Sequence, residues 1–292
     1  MDIVRFKGGL GNQMFQYAFM ETLKSKGRVV KASLGGYTKN SSIREFSLLD
    51  VFANICLECV SEDEFNEIDE QWKKIKQNEQ EMKKFCDDYE NRFFWVEDVI
   101  KEPATYQPNV FITRNCTFVG YWQSEKYFKT IRDRLMETFQ FTGVTGELKK
   151  MADMLTNNCY TSVHVRRGDY LLNPNVYMDV CTQEYYFGAI EYIKQKYPDS
   201  KFVFFSDDME WVKENINVQN TFYYEKKMFN KYEDWYDMYL MSKCQNNIIA
   251  NSSFSWWGAW LNQNPNKTVI APRRWYKNID TPDIWCDGWI KL

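Results

Sequence analysis

Lys201-Phe202-Val203-Phe204-Phe205-Ser206 is apolar at every position between its two ends. A strand with one wet face alternates apolar and polar side chains. A strand without alternation is buried on both faces, as in parallel sheets covered by helices. The flanking sequence agrees. Upstream, Tyr160–Val165 reads as a strand and Gln183–Lys196 as a helix. Downstream come a helix over Asp208–Asn215, a strand over Thr221–Tyr224, a helix over Glu233–Lys243, a strand over Asn247–Ala250, a helix over Phe254–Gln263 and a strand over Thr268–Ala271. Buried strands alternating with helices predict an α/β fold with a parallel sheet.

The N-terminal half opens in the same way. Asp2–Phe6 predicts a strand, Lys7–Asn12 a glycine turn, and Gln13–Lys26 a helix with apolar residues at 14, 15, 18, 19 and 23. Gly27 ends that helix and Arg28–Ser33 reads as the next strand. Thr117–Tyr121 is a further strand candidate, followed by helices near 124–139 and 145–157. The expected organisation is two α/β domains, 1–157 and 158–292. Within the first, 61–92 is rich in mixed charge, and Ser61 with Glu64 makes a capping box. That segment predicts one or two exposed helices, inserted as a lid or a side domain.

Composition narrows the chemistry. The chain has 292 residues and 44% hydrophobic content, enough for two real cores. A net charge of −3 offers no broad field for nucleic acid. The single histidine, His164, excludes zinc sites built on two or three imidazoles. The eight cysteines form no dense framework, so buried free thiols are expected, Cys159 and Cys244 among them. Cys56-Leu57-Glu58-Cys59 has no second pair at zinc-ribbon spacing. Charges interrupt the N-terminus within seven residues, unlike a signal peptide. No run approaches the roughly 18 apolar residues of a membrane span. Together these predict a soluble cytoplasmic protein. The 17% aromatic share points weakly toward sugars, whose C–H faces stack on aromatic rings.

Five stretches carry candidate chemistry. Gly8-Gly9-Leu10-Gly11-Asn12-Gln13 at a helix start fits neither the dinucleotide nor the P-loop template, since Met14 stands where G-x-G-x-x-G needs glycine. Gly9 and Gly11 permit close approach of a ligand, and a helix N-terminus favours an anion. Asn12 is equally a good N-cap. His164-Val165-Arg166-Arg167-Gly168-Asp169-Tyr170 follows a strand, where α/β folds bind ligands. Alternation sends Arg166 and His164 one way and Arg167 the other. A guanidinium can grip two diphosphate oxygens, and Asp169 can orient an arginine or take a proton. Asp207-Asp208 ends a strand, as donor-site groups or as a helix cap. The metal-binding Asp-x-Asp pattern is absent from the sequence. Asp237 starts a helix, where it can read a guanine edge or simply complement the helix dipole. Asn251-Ser252-Ser253-Phe254-Ser255-Trp256-Trp257-Gly258-Ala259-Trp260 opens another helix with hydroxyls and N–H groups suited to an anion, while its tryptophans pack helix on sheet.

Three of these motifs, with Gly8–Ala18 extended through Met14-Phe15-Gln16-Tyr17, occur in the order that resembles glycosyltransferase family 11. Its bacterial members are α-1,2-fucosyltransferases, and the resemblance runs from residue 3 to about 272. It implies a GT-B type fold, two Rossmann-like parallel-sheet domains facing a cleft. The N-terminal domain would lie on the acceptor side and the C-terminal domain would bind GDP-β-L-fucose. It implies inverting transfer of L-fucose to the 2-OH of a terminal β-galactoside, in surface glycan or O-antigen synthesis, with no metal and no cofactor. Peripheral contact with a lipid-linked glycan would follow. Arg166 matches the arginine that contacts the diphosphate, and Asp237 matches an acid that reads guanine. Ser253, Phe254 and Ser255 fall where phosphates are held. Gly9, Gly11 and Asn12 face sugar or phosphates, and Asp207 and His164 join the donor-binding set. Arg166, Asp169, His164 and Asn12 are the catalytic candidates, Asp169 standing before His164 as a base. The alternatives are an α-1,3 linkage, another GDP-sugar, or a non-catalytic glycan-binding protein.

Overall fold

The computed structural model describes residues 1–37, 45–76, 94–96, 104–177, 179–229 and 233–292. They form two compact units, Met1–Gln140 with Pro282–Ile284, and Phe141–Thr281 with Trp285–Leu292. The division therefore falls earlier than residue 157. The helix Gly146–Asn157 buries Leu148, Ala152 and Leu155 and packs against the helix Trp235–Met241 of the second unit. The residues at 282–284 return to the first unit, which no local pattern announces.

In the first unit, strands β1 (Asp2–Arg5), β2 (Val30–Ser33), β3 (Phe94–Val96) and β4 (Thr117–Val119) pair in the order β2-β1-β4-β3, all parallel. The helix Leu10–Ser25 follows β1 and buries Met14, Phe15, Ala18, Phe19 and Leu23, the apolar set that its spacing selects. Asp2 and Arg28 form a buried ion pair, and Arg28 also donates to the Thr113 carbonyl at 2.7 Å, so neither charge lacks partners. The expected helix near 124–139 becomes two short turns, Glu125–Tyr127 and Lys129–Ile131, and a helix only over Arg132–Thr138. Phe128, fully buried, leaves helical geometry at φ −137° to reach the core.

The helix Glu62–Lys76 has the predicted capping box. Ser61 N donates to Glu64 Oε2 at 2.7 Å, and Glu64 N donates to Ser61 Oγ at 3.2 Å. It is less exposed than expected. Ile68 is buried, and Arg5 on β1 reaches Asp69 at 3.2 Å. Residues 77–92 of the expected insertion lie outside the described residues.

In the second unit, β5 (Tyr160–Val165), β6 (Lys201–Ser206), β7 (Thr221–Tyr223), β8 (Asn246–Ile248), β9 (Val269–Ala271) and β10 (Ile290–Lys291) pair in the order β10-β9-β8-β5-β6-β7, all parallel. Phe202, Val203, Phe204 and Phe205 of β6 are buried on both faces, as the run of apolar residues predicts. Trp256, Trp257 and Trp260 are buried on the helix Ser253–Trp260, with Trp257 and Trp260 edge to face at 5.0 Å. Cys116 and Cys244 are buried free thiols, but Cys56, Cys59 and Cys159 are exposed. Cys159 sits at φ 49°, turning the chain into β5 outside the core. Cys86 lies outside the described residues. Among the described residues, no helix is long and apolar enough to cross a membrane.

Candidate active site

The second sheet changes winding direction beside β5. The chain runs outward through β6 and β7, then crosses back to β8 on the other flank. Such a switch point opens a crevice at the C-terminal ends of the two central strands, where α/β sheets bind ligands. Here the two loops at that crevice are 166–170 after β5 and 249–253 after β8.

Arg166 is held by two carboxylates. Its Nε and Nη2 approach Asp169 Oδ1 at 2.9 and 2.6 Å, and its Nη1 approaches Asp207 Oδ2 at 3.0 Å. Burial opposes the charge, yet Asp207 and Asp169 outweigh it and raise the guanidinium above its ordinary value. Arg167, also past the end of β5, takes a different acid. It pairs with Asp208 at 3.0 Å and lies 3.9 Å over the Trp211 ring. Asp207 also fixes the turn itself, accepting from Arg167 N at 2.9 Å and Gly168 N at 3.1 Å. A side chain at Gly168 would meet Asp207 Oδ2 at 2.7 Å, so glycine is what lets that carboxylate seat. Asp208 is the helix cap, accepting from Trp211 N at 3.2 Å.

His164 is 5% exposed, and its Nδ1 finds no hydrogen-bond partner among the described residues. Burial, aided by the Arg166 charge, pushes the imidazole well below the ordinary histidine range, so it is neutral at neutral pH. Its ring lies 6.1 Å from that of Phe254, at the start of the helix Ser253–Trp260. Ser252 precedes that helix without capping it, leaving its first N–H groups without a side-chain acceptor. Ser253 and Phe254 are half-buried, but Ser255 is fully buried and its one hydroxyl proton is shared between the Ala250 and Ser252 carbonyls. The Ser255 hydroxyl is thus spent on the fold.

Tyr170 joins the two loops. Its phenol donates to the Asn251 carbonyl at 2.7 Å and its ring stacks on Tyr177 at 4.1 Å. The Asn251 amide in turn donates to the Trp275 carbonyl at 2.9 Å. Tyr170 and Asn251 stand inside the motifs quoted above, but pairing across two strands leaves no trace in local sequence. Beside Asp207, a groove of about 390 Å³ is lined by Ser206, Met209, Lys213, Tyr224 and Lys226. Asp237 is buried in the first turn of the helix Trp235–Met241 and adjoins Tyr224, whose phenol is pushed up by burial and by the Asp237 charge.

Gly9, Gly11 and Asn12 belong to the first unit. Asn12 is not the N-cap. Gly9 is, and its carbonyl accepts from Asn12 N at 2.9 Å and Gln13 N at 3.0 Å. Gly8, not Gly9 or Gly11, takes the left-handed conformation, at φ 84°. The Asn12 side chain accepts from Gln123 Nε2 at 2.8 Å.

The family model for Glycosyl transferase family 11 matches residues 2–292. An α-1,2-colitosyltransferase of Escherichia coli is 31% identical, over 99% of this chain and 98% of its own length. The O-antigen biosynthesis glycosyltransferase WbnK of Escherichia coli is also 31% identical, over 98% of each chain. A galactoside α-(1,2)-fucosyltransferase 2 of Bos taurus is 26% identical, over 58% of this chain and 50% of its own. Among solved structures, a point mutant of Arabidopsis thaliana FUT1 in complex with GDP aligns with TM-score 0.51 and 13% identity, over 97% of this chain and 72% of that one. Two parallel-sheet units of this kind are the GT-B type, and the chain belongs to glycosyltransferase family 11.

Proposed function

We propose that this protein transfers L-fucose from GDP-β-L-fucose to the 2-hydroxyl of a terminal β-galactoside, with inversion and without a metal, in cytoplasmic assembly of a surface glycan. One observation carries the reading: Arg166, the uncapped helix start at Ser253 and the neutral His164 converge on one switch point. Those groups suit a departing nucleoside diphosphate, the first two by charge and dipole and the third by a hydrogen bond. The groove beside Asp207 has room for a nucleoside, with Asp237 adjoining its wall at Tyr224.

In one displacement the acceptor oxygen bonds to C1 of fucose as the bond from C1 to the β-phosphate oxygen breaks. The electron pair leaves with GDP. Arg166 and the helix N–H groups stabilise that growing charge. The acceptor's proton goes to Asp169 or to water. A diphosphate that takes over Arg166 releases the Asp169 carboxylate for this role. His164 resists protonation and serves as a neutral hydrogen-bonding group.

A second reading is favoured by one relative, the α-1,2-colitosyltransferase: the same transfer with colitose in place of fucose, tested with GDP-colitose. Incubation with each GDP-sugar and a panel of β-galactosides, followed by NMR of the product linkage, separates them. Fucosyl transfer to the galactose 2-OH is expected. Faster transfer from GDP-colitose replaces the donor. A glycan bound without release of GDP removes the enzyme reading altogether. GDP, and neither UDP nor CMP, should raise the melting temperature.

A further inference from the structure

The first sheet has its own switch point. Its order β2-β1-β4-β3 reverses between β1 and β4, so their C-terminal ends frame a crevice. Asn12 lies in the first turn of the helix that follows β1 and Gln123 in the turn after β4, and the two side chains meet across it. We infer that Gln123 is a positioning residue, which holds the Asn12 carboxamide with its NH2 turned toward substrate. The inference rests on Asn12 touching substrate, as in the reading above.

The surroundings are built for this orientation. Gln123 Nε2 donates to Asn12 Oδ1, which turns the oxygen toward Gln123 and leaves Nδ2 as the group on offer. Asn12 Nδ2 finds no acceptor among the described residues, and Asn12 is not spent as a helix cap. Nδ2 lies directly over Gly8, where a Cβ would come within 2.6 Å of it. Gln123 itself is 6% exposed and has little freedom to turn. It follows Trp122, a fully buried residue at φ 56°, a conformation that bulky side chains rarely adopt. Trp122 is held there by stacking on Phe19 at 4.3 Å. Gln16 ties both strand exits together, accepting from Lys7 N at 3.0 Å and donating to the Gly120 carbonyl at 2.9 Å. Strain of this kind persists where the surroundings over-determine it, and it clusters at ligand sites.

The partner of Nδ2 is a hydrogen-bond acceptor, an oxygen of the GDP-sugar or of the glycan. A carboxylate at position 123 accepts and cannot donate. Gln123→Glu therefore turns the Asn12 amide around, presenting its oxygen where its NH2 belongs. Asn12→Ala removes the group, and Gln123→Met, of similar length, removes the hydrogen bond without imposing the wrong orientation.

The test is kcat/KM of the full chain for these variants and for the Asn12→Ala/Gln123→Glu double variant, with melting temperatures as a check on folding. Asn12→Ala and Gln123→Glu should each lower kcat/KM by about tenfold or more, and the double variant by no more than the larger single loss. The Gln123→Glu loss, taken relative to the unaltered protein, should shrink as pH falls toward the glutamic acid pKa. The protonated carboxyl can again donate to Asn12 Oδ1. Burial raises that pKa above its usual value of about 4.3. The Gln123→Met loss should show no such recovery. A damaging Asn12→Ala with a harmless Gln123→Glu, or a Gln123→Glu loss that ignores pH, overturns the role of Gln123. A harmless Asn12→Ala overturns the substrate contact itself and the inference with it.

Discussion

Arg166 is engaged before any substrate arrives. Asp169 and Asp207 neutralise it, so on the proposed function a diphosphate would replace carboxylates rather than water. On the proposed function, Arg166→Ala removes both the diphosphate contact and the anchor of the two acids. It should lower kcat by about 10²–10³, equivalent to about 2.7–4 kcal/mol, while the melting temperature changes little. A steady-state assay with circular dichroism alongside measures both. His164 makes a second prediction. Its folded pKa lies below the unfolded value of about 6.5. The unfolded chain therefore binds the extra proton, and the stability gained from a neutral His164 is fully present above about pH 6.5 and is lost as pH falls below it. The slope approaches about 1.4 kcal/mol per pH unit for one group. Urea unfolding between pH 7 and 5 should show this slope, and His164→Phe should flatten it. Because the chain has one histidine, its imidazole NMR signals report the neutral state directly.

The elements differ in how openly they were written. β6 is legible because a doubly buried strand must be apolar throughout, and the helix Leu10–Ser25 because its burial follows its period. β10 is two residues long and finds its place only by pairing with β9, so no periodicity could show it. Asn12 looks like a cap by residue type, but Gly9 takes that position and frees the amide. The motif residues of the site were readable, while their pairings were not. Arg166 with Asp207 and Tyr170 with Asn251 join positions far apart in the chain. Of the two roles that sequence left open for Asp207-Asp208, donor-site group and helix cap, Asp208 takes the cap, while Asp207 clamps the turn at Gly168, a role the sequence did not suggest. Asp208→Ala should remove the cap of the helix Met209–Asn215 and the partner of Arg167. A loss of about 0.5–2 kcal/mol in urea unfolding is expected from the cap.

At the scale of the whole molecule, the two units share one design: a parallel sheet whose strand order reverses, with the chemistry-bearing loops at the C-terminal strand ends. They are not two consecutive pieces of chain. Residues 282–284 belong to the first unit although the sequence on both sides belongs to the second. Asp283 accepts from Tyr106 N at 2.7 Å and pairs with Lys126, all within the first unit. Asp283→Ala should therefore destabilise that unit, by about 1.5–3 kcal/mol for lost bonds to a charged group, read by chemical denaturation. The same three residues constrain how members of this family can be recombined. A chimera made with one crossover near residue 140 would give its N-terminal half a foreign version of this tail. Exchange of the two units between relatives needs a second graft at 282–284, and without it a hybrid's first unit would still be completed by a foreign piece of chain.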